Sequence, residues 1–132
     1  MSSLLIAFAA QAAAALLQPG VAYAPTKVEV VDGDTLRVDG VKVRISNLDT
    51  PERGGRAACD AERFLAAVAS RRAESLVKST KIEIWPEGRA DRYDRALARV
   101  TVNGEDWAAI LIAENLAVAW AGRQHDWCGP RP

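Results

Sequence analysis

The stretch KVEVVDGDTLRVDGVKVRIS, residues 27 to 46, alternates apolar and polar side chains with a period of two. Val28 and Val30, then Leu36 and Val38, then Val41, Val43 and Ile45 share one face of the pattern, as half-buried strands require. Asp32-Gly33 and Asp39-Gly40 interrupt it with residues that tolerate the positive φ of tight hairpins. The stretch predicts three strands joined as a meander. The third runs into NLDTPE, where Pro51 stops further pairing.

Downstream, Pro51 and the glycines at 54 and 55 break the pattern, and Asp60 is placed to cap a helix running to about Lys78. Ala61, Phe64, Leu65, Val68 and Leu76 fall on one face of that helix, with Arg63, Arg71 and Glu74 mostly elsewhere. KIEIW from Lys81 predicts a fourth strand, followed by the polar connection PEGRADRYDR and a fifth strand from Ala96 to Val102. Asn103-Gly104 supplies the next turn. A short helix follows from Asp106 through Glu114, with Asn115 suited to the left-handed residue past its end, and LAVAW is a last extended segment. The order predicts an α+β protein, mainly β barrel. The best match is an OB-fold: five strands in a partly open barrel, a long helix between strands three and four, and a short helix after strand five.

The 132 residues suit one domain, and 49% hydrophobic with 26% charged residues is the composition of a folded chain. Seventeen basic and seventeen acidic residues cancel, which argues against a protein whose main task is electrostatic adhesion to nucleic acid or an anionic membrane. Arginines outnumber lysines thirteen to four, a composition suited to bidentate contact with anions. Residues 1 to 24 carry no charged side chain. Their apolar run LLIAFAAQAAAALL is short for a membrane span, and Pro19, Gly20 and Ala22-Tyr23-Ala24 follow it. This reads as a secretory signal peptide cut after Ala24 or Ala22, with an uncleaved anchor as the alternative. Residues 25 to 132 then form a single secreted or periplasmic domain, monomeric and without stable membrane association.

Cys59 and Cys128 are too far apart for a CxxC motif or zinc knuckle, and His125 is the only histidine. In an oxidising compartment they would form a disulfide, contributing roughly 4 kcal/mol on the chain-entropy model. In a reducing one they would be two inert thiols.

Asp32 and Asp34 flank Gly33, while Asp49 and Glu52 lie beyond the end of the third strand. In a hairpin closed by Asp39-Gly40, residue 34 sits opposite roughly residue 45, so these carboxylates gather at one end of the sheet. Clustered carboxylates repel, and a hard divalent cation with oxygen ligands relieves them; Asp34 and Asp49 are the candidate ligands. Asp-Gly-Asp is also common turn chemistry, and Asp39-Gly40 is read as a turn only. Arg44 and Arg95 tip the balance, because acids, guanidiniums and a cation together suit phosphodiester chemistry. No GxSxG elbow is present, and His125 has no nucleophile beside it. His125 is read as a surface residue, and the four tryptophans as core or edge packing.

VVDGDTLRV, VRISNLDTPE, DRYDRALARVTVNG and LIAENLAVAW, in that order, resemble the thermonuclease, or staphylococcal nuclease-like, family over about residues 27 to 120. The set DGDT, then R-x4-D-T-P-E, then D-R-Y-x-R is specific together. The resemblance implies an OB-fold endonuclease that hydrolyses DNA or RNA with little sequence preference, using a divalent metal, typically calcium. It places the metal on Asp34, Asp49 and the Thr50 carbonyl, with Asp32 close behind. It makes Glu52 the general base, Arg44 and Arg95 the phosphate-gripping pair, and Tyr93 a nucleotide contact, and it supports a Cys59–Cys128 bridge. Asp94 departs from the family's usual glycine, bringing a negative charge beside Arg95. The rival reading is an OB-fold module that binds nucleic acid or protein and turns over weakly or not at all.

Overall fold

A computed structural model describes residues 10–129. The meander forms as β1 (Val28–Asp32), β2 (Thr35–Val38) and β3 (Val41–Ile45), all antiparallel, with Val38 opposite Val41 and Thr35 opposite Arg44. Asp39 and Gly40 close the second hairpin with φ of 49° and 86°, the paired positive values of the tight turn expected there. Alternation then does its work: Leu36, Val38, Val43 and Ile45 all point inward and are fully buried.

Further along come β4 (Leu48–Asp49), a 3-10 turn (Gly54–Arg56), α2 (Asp60–Leu76), β5 (Ile82–Ala90), β6 (Ala96–Val102), β7 (Glu105–Asp106), α3 (Trp107–Ala113) and β8 (Val118–Ala119); a preceding helical stretch, residues 10–16, is α1. The sheet order is β1-β2-β3-β6-β5, antiparallel except between β3 and β6. That parallel pair needs a crossover, which the segment carrying α2 and β5 supplies. β7 extends β6, and β4 pairs with β8 as a separate two-stranded sheet. Before β1, Tyr23 exchanges backbone hydrogen bonds with Ile84 of β5 at 2.7 and 2.9 Å, so the chain entering the first strand meets the last strand of the sheet. The five-stranded sheet thus curls into a half-barrel, the OB-like α+β fold expected. Trp107 and Leu111 of α3 fill its interior with Leu36, Ile45, Ile84 and Val100.

The structure corrects four local readings. Cys59, not Asp60, caps α2: its Sγ accepts from Glu62 N–H at 3.4 Å. The buried face of α2 is Glu62, Ala66, Ala69, Ala73 and Leu76, and Phe64 is 69% exposed. Three of these five are alanines, so small side chains make up most of the face that packs on β1. β5 continues through the polar residues PEGRA as a nine-residue strand, with an irregularity between Pro86 and Ala90. Asp39 is more than a turn residue, because its buried carboxylate accepts from Tyr23 Oη and from the N–H groups of Thr26 and Lys27.

The expected signal peptide lies partly outside the described residues. Of the rest, Leu16 is fully buried in the core and Pro19 packs against Gly88. Among the described residues no helix is long and apolar enough to cross a membrane.

Candidate active site

Two turns form the floor of the site. The Asp32-Gly33-Asp34 turn lies against Thr50, so close that a Cβ on Gly33 would stand 3.0 Å from Thr50 Cγ2. The buried indole N–H of Trp107 donates to Gly33 O at 3.1 Å and anchors the turn to α3. Ile45 N–H donates to Asp34 O at 2.8 Å, the pairing expected from the hairpin register. Asp32, Asp34 and Asp49 are thereby drawn to one end of the sheet. A cleft of about 770 Å³ opens there, lined by Asp32, Asp34, Arg44, Asp49, Glu52, Tyr93 and Arg95, together with Arg56, Asp91, Trp120 and Gln124. Thr50 lies beneath it, buried.

The acids repel one another. Burial pushes the Asp49 carboxyl up from its ordinary range, the His125 N–H pulls it back, and the charge of Asp34 adds to the rise. Burial and then Asp34 raise Asp32 against the opposing pull of Arg56 and Arg53. Burial raises Glu52 too, offset by Arg56 and reinforced by Asp34, Asp32 and Asp49. Asp32 Oδ1 is buried with no hydrogen-bond partner, 3.6 Å from Arg53 Nε. Hard oxygen donors under mutual repulsion fit a hard divalent cation. Among the described residues no three His, Cys, Asp or Glu side chains are grouped as a metal cage. The expected set asks for only two carboxylates and the Thr50 carbonyl, the remaining positions falling to water and substrate oxygens.

The arginines enter from different elements. Arg44, on β3, is buried; its Nη1 donates to the carbonyls of Ile45 and Leu48, and its Nη2 lies 3.6 Å from Asp34 Oδ2. Trp120 covers it, with the guanidinium 5.5 Å from the ring centroid. Arg95, just before β6, is held by Asp91, whose Oδ2 accepts from Nε at 2.7 Å and pairs with Nη2 at 2.7 Å. Burial pushes Asp91 up, but hydrogen bonds from Arg95 and from the Tyr93 amide outweigh it and hold the carboxyl below its ordinary value. Asp94 takes φ 63°, so the turn survives without glycine. Its exposed side chain does not line the cleft. Tyr93 is exposed, flanked by Arg92 and Arg95 at 4.9 and 5.4 Å from its ring.

Several contributors escaped the sequence reading. Glu62, buried in the first turn of α2, accepts from Glu52 N–H and Ala58 N–H at 2.8 Å each and so shapes the loop that carries Glu52. The spacing Cys59-x-x-Glu62 resembles a capping box, the one signal for it in the sequence. Asp91 opens the D-R-Y-x-R motif, which gave no sign that its carboxylate holds Arg95, and Arg56 carried no signal beyond its charge. Cys59 and Cys128 are joined in a disulfide 69 residues apart in sequence. The exposed imidazole of His125 packs edge-on against Trp127, while its backbone N–H donates to Asp49 Oδ2 at 2.7 Å. Gln124 Nε2 donates to Glu52 Oε1 at 3.1 Å.

No curated protein matches the chain. A family model described as staphylococcal nuclease homologue matches residues 42–127. That span holds Arg44, Asp49, Glu52 and Arg95 and reaches past Trp120 into the tail. Asp32 and Asp34 lie before it, and the fold brings them into the same cleft. By this match, over well more than half its length, the chain belongs to the staphylococcal nuclease homologue family.

Proposed function

We propose that the protein is a divalent-metal-dependent endonuclease that hydrolyses DNA or RNA phosphodiesters with little sequence preference. One observation carries this reading: five carboxylates and six arginines, Asp34, Asp49, Glu52, Arg44 and Arg95 among them, come from strands and loops distant in sequence and share one open cleft. Asp34, Asp49 and the Thr50 carbonyl would hold the cation, probed first as Ca²⁺, with Asp32 behind them. When bound, the cation supplies charge stabilisation of the phosphoryl oxygens and activation of water.

The chain's own groups do the rest. Gln124 donates to Glu52 Oε1 and Arg56 stands 3.5 Å from Oε2, so the carboxylate is held from both sides as the group that takes the proton of the attacking water. Arg44 and Arg95 stabilise negative charge building on the non-bridging oxygens. Their backbone and carboxylate partners hold both guanidiniums in place before substrate arrives. Tyr93, exposed and flanked by Arg92 and Arg95, is placed to contact a nucleotide.

The disulfide and the apolar leader support export to an oxidising compartment. Cleavage of a single-stranded oligonucleotide is measured with Ca²⁺, Mg²⁺ or Mn²⁺ and with excess chelator. Cleavage that needs a divalent cation supports the reading. Binding without cleavage in every metal would replace it with an OB-fold binding module.

A further inference from the structure

After β8 the described chain forms no further helix or strand. Residues 121–126 are exposed, and the nearby amides of Cys128 and Gly129 bond only locally, to Asp126 Oδ1. Such a tail keeps its place only through specific anchors. Four are present, and two fall on the candidate site. Gln124 donates to Glu52 Oε1, and His125 N–H donates to Asp49 Oδ2. Trp127 is buried, and Cys128 is bonded to Cys59.

The tail thus holds one oxygen of each of two carboxylates, while Arg56 stands 3.5 Å from the other oxygen of Glu52. The same disulfide reaches the loop of Glu52 indirectly, through Glu62. Cys59 caps α2, and Glu62 of that first turn holds the Glu52 and Ala58 amides with its Oε1 4.0 Å from Cys128 Sγ. That last approach is packing, since a bridged sulfur has no proton to donate. The loop bearing Glu52 and the tail orienting it are fastened at one point.

We infer that residues 124–128 are a positioning strap, Gln124 orienting Glu52 and the His125 amide orienting Asp49, and that the Cys59–Cys128 bond keeps the strap seated so that hydrolysis requires the oxidised protein. The inference rests on the nuclease reading. A carboxylate misplaced by about 1 Å loses on the order of 100-fold in rate, so an unseated strap acts on turnover more than on substrate binding.

Oxidised protein is compared with protein reduced by dithiothreitol, at a temperature where near-ultraviolet circular dichroism shows both folded. The dithiol passes two electrons and two protons to the cystine, leaving two protein thiols and a cyclic disulfide on the reagent. The expected result is a fall in kcat of about tenfold or more with KM changed less than twofold, restored on reoxidation. Gln124→Met, with the disulfide intact and the thermal midpoint unchanged, should lose several-fold in kcat at constant KM. An unchanged kcat on reduction overturns the inference, as does a Gln124→Met rate equal to wild type. A rate that rises on reduction also overturns it, because the strap would then be a lid. If wild type cleaves nothing, the nuclease reading has failed separately. The strap is then judged by hydrogen exchange: a His125 amide protected only in the oxidised state supports its seating, and rapid exchange in the oxidised protein refutes it.

Discussion

The backbone N–H of His125 donates to Asp49 Oδ2 at 2.7 Å, joining positions 76 residues apart in the chain. A residue whose ring packs on Trp127 therefore reaches the site through its backbone. The contact also closes Asp49 in, leaving that residue 2% exposed at the base of the cleft. A charge so placed is costly unless compensated, and several of the outcomes below turn on that cost.

Glu52→Gln removes the proton acceptor and keeps the shape. The rate of oligonucleotide cleavage should fall by about 100-fold or more. Because burial already disfavours the ionised Glu52, the thermal midpoint should hold or rise slightly. Initial rates and calorimetry on the same preparation check both, and brisk cleavage by the variant would remove Glu52 from the mechanism.

Arg44 and Arg95 should part company in stability. Arg44→Met strips buried partners from Asp34 and from the Ile45 and Leu48 carbonyls, at about 3 kcal/mol or more and on the order of 10 °C in midpoint. Arg95→Ala releases a more exposed pair with Asp91 and should cost under about 1 kcal/mol, yet slow cleavage by about 100-fold. Equal midpoints for the two variants would contradict this division.

Gly33→Ala tests the close approach of the two turns. The new methyl would meet Thr50 Cγ2 at 3.0 Å, and Thr50 is buried with nowhere to retreat. The expected outcome is a destabilisation of about 1–3 kcal/mol and a several-fold weaker Ca²⁺ affinity by titration calorimetry, because the Thr50 carbonyl moves with its side chain. Unaltered affinity would argue that this carbonyl is not a ligand.

Acid pH should stabilise the metal-free protein. Asp32, Asp49 and Glu52 sit above their ordinary values of 3.8, 3.8 and 4.5, so just above those values the folded state binds more protons than the unfolded one. Their contribution is full below the ordinary values and is lost as pH rises through the raised ones. Asp91 has the opposite sign, its contribution being present above 3.8 and lost as pH falls through its lowered value. In chelator these carboxyls should make the midpoint higher just above pH 4.5 than at pH 7, and Ca²⁺ should raise it more at pH 7, where no proton competes. Scanning calorimetry at both pH values decides it, and the reverse order in chelator would refute the repulsion.

At the other end of the scale, burial together with the hydrogen bond and charge of Asp39 pushes the Tyr23 phenol up to about 12 from 10.0. The folded state keeps that proton longer, so its contribution is full below pH 10.0 and lost as pH rises through 12. Tyr23→Phe should cost about 1 kcal/mol at pH 8 and flatten the alkaline loss of stability, as urea melts at pH 8 and 11 would show. An alkaline slope identical to wild type would detach Tyr23 from it.

What was legible in the sequence was local in origin. Cβ atoms alternate along a strand whatever the chain does elsewhere, so Val28 to Ile45 declared both their strands and their inner face. Asp39-Gly40 and Asn103-Gly104 need positive φ at both positions, a property of one or two residues. Once the hairpin was drawn, Asp34 opposite Ile45 followed from counting. The face of α2 did not follow. Apolar side chains at 61, 64, 65 and 68 gave a plausible stripe, but the helix turns Ala66, Ala69 and Ala73 inward with Glu62 and Leu76 where it packs on β1.

The sequence by itself determined the meander, its turns and the acid and arginine groups brought to one end of it, since each depends on neighbours a few residues away or on a motif of residue types. Tertiary structure alone decided that Asp91 grips Arg95, that Glu62 shapes the Glu52 loop, and that Gln124 and His125 reach across 72 and 76 residues to Glu52 and Asp49. Those contacts join groups with no shared periodicity. The last two exist because a disulfide and a buried tryptophan hold the tail beside the cleft.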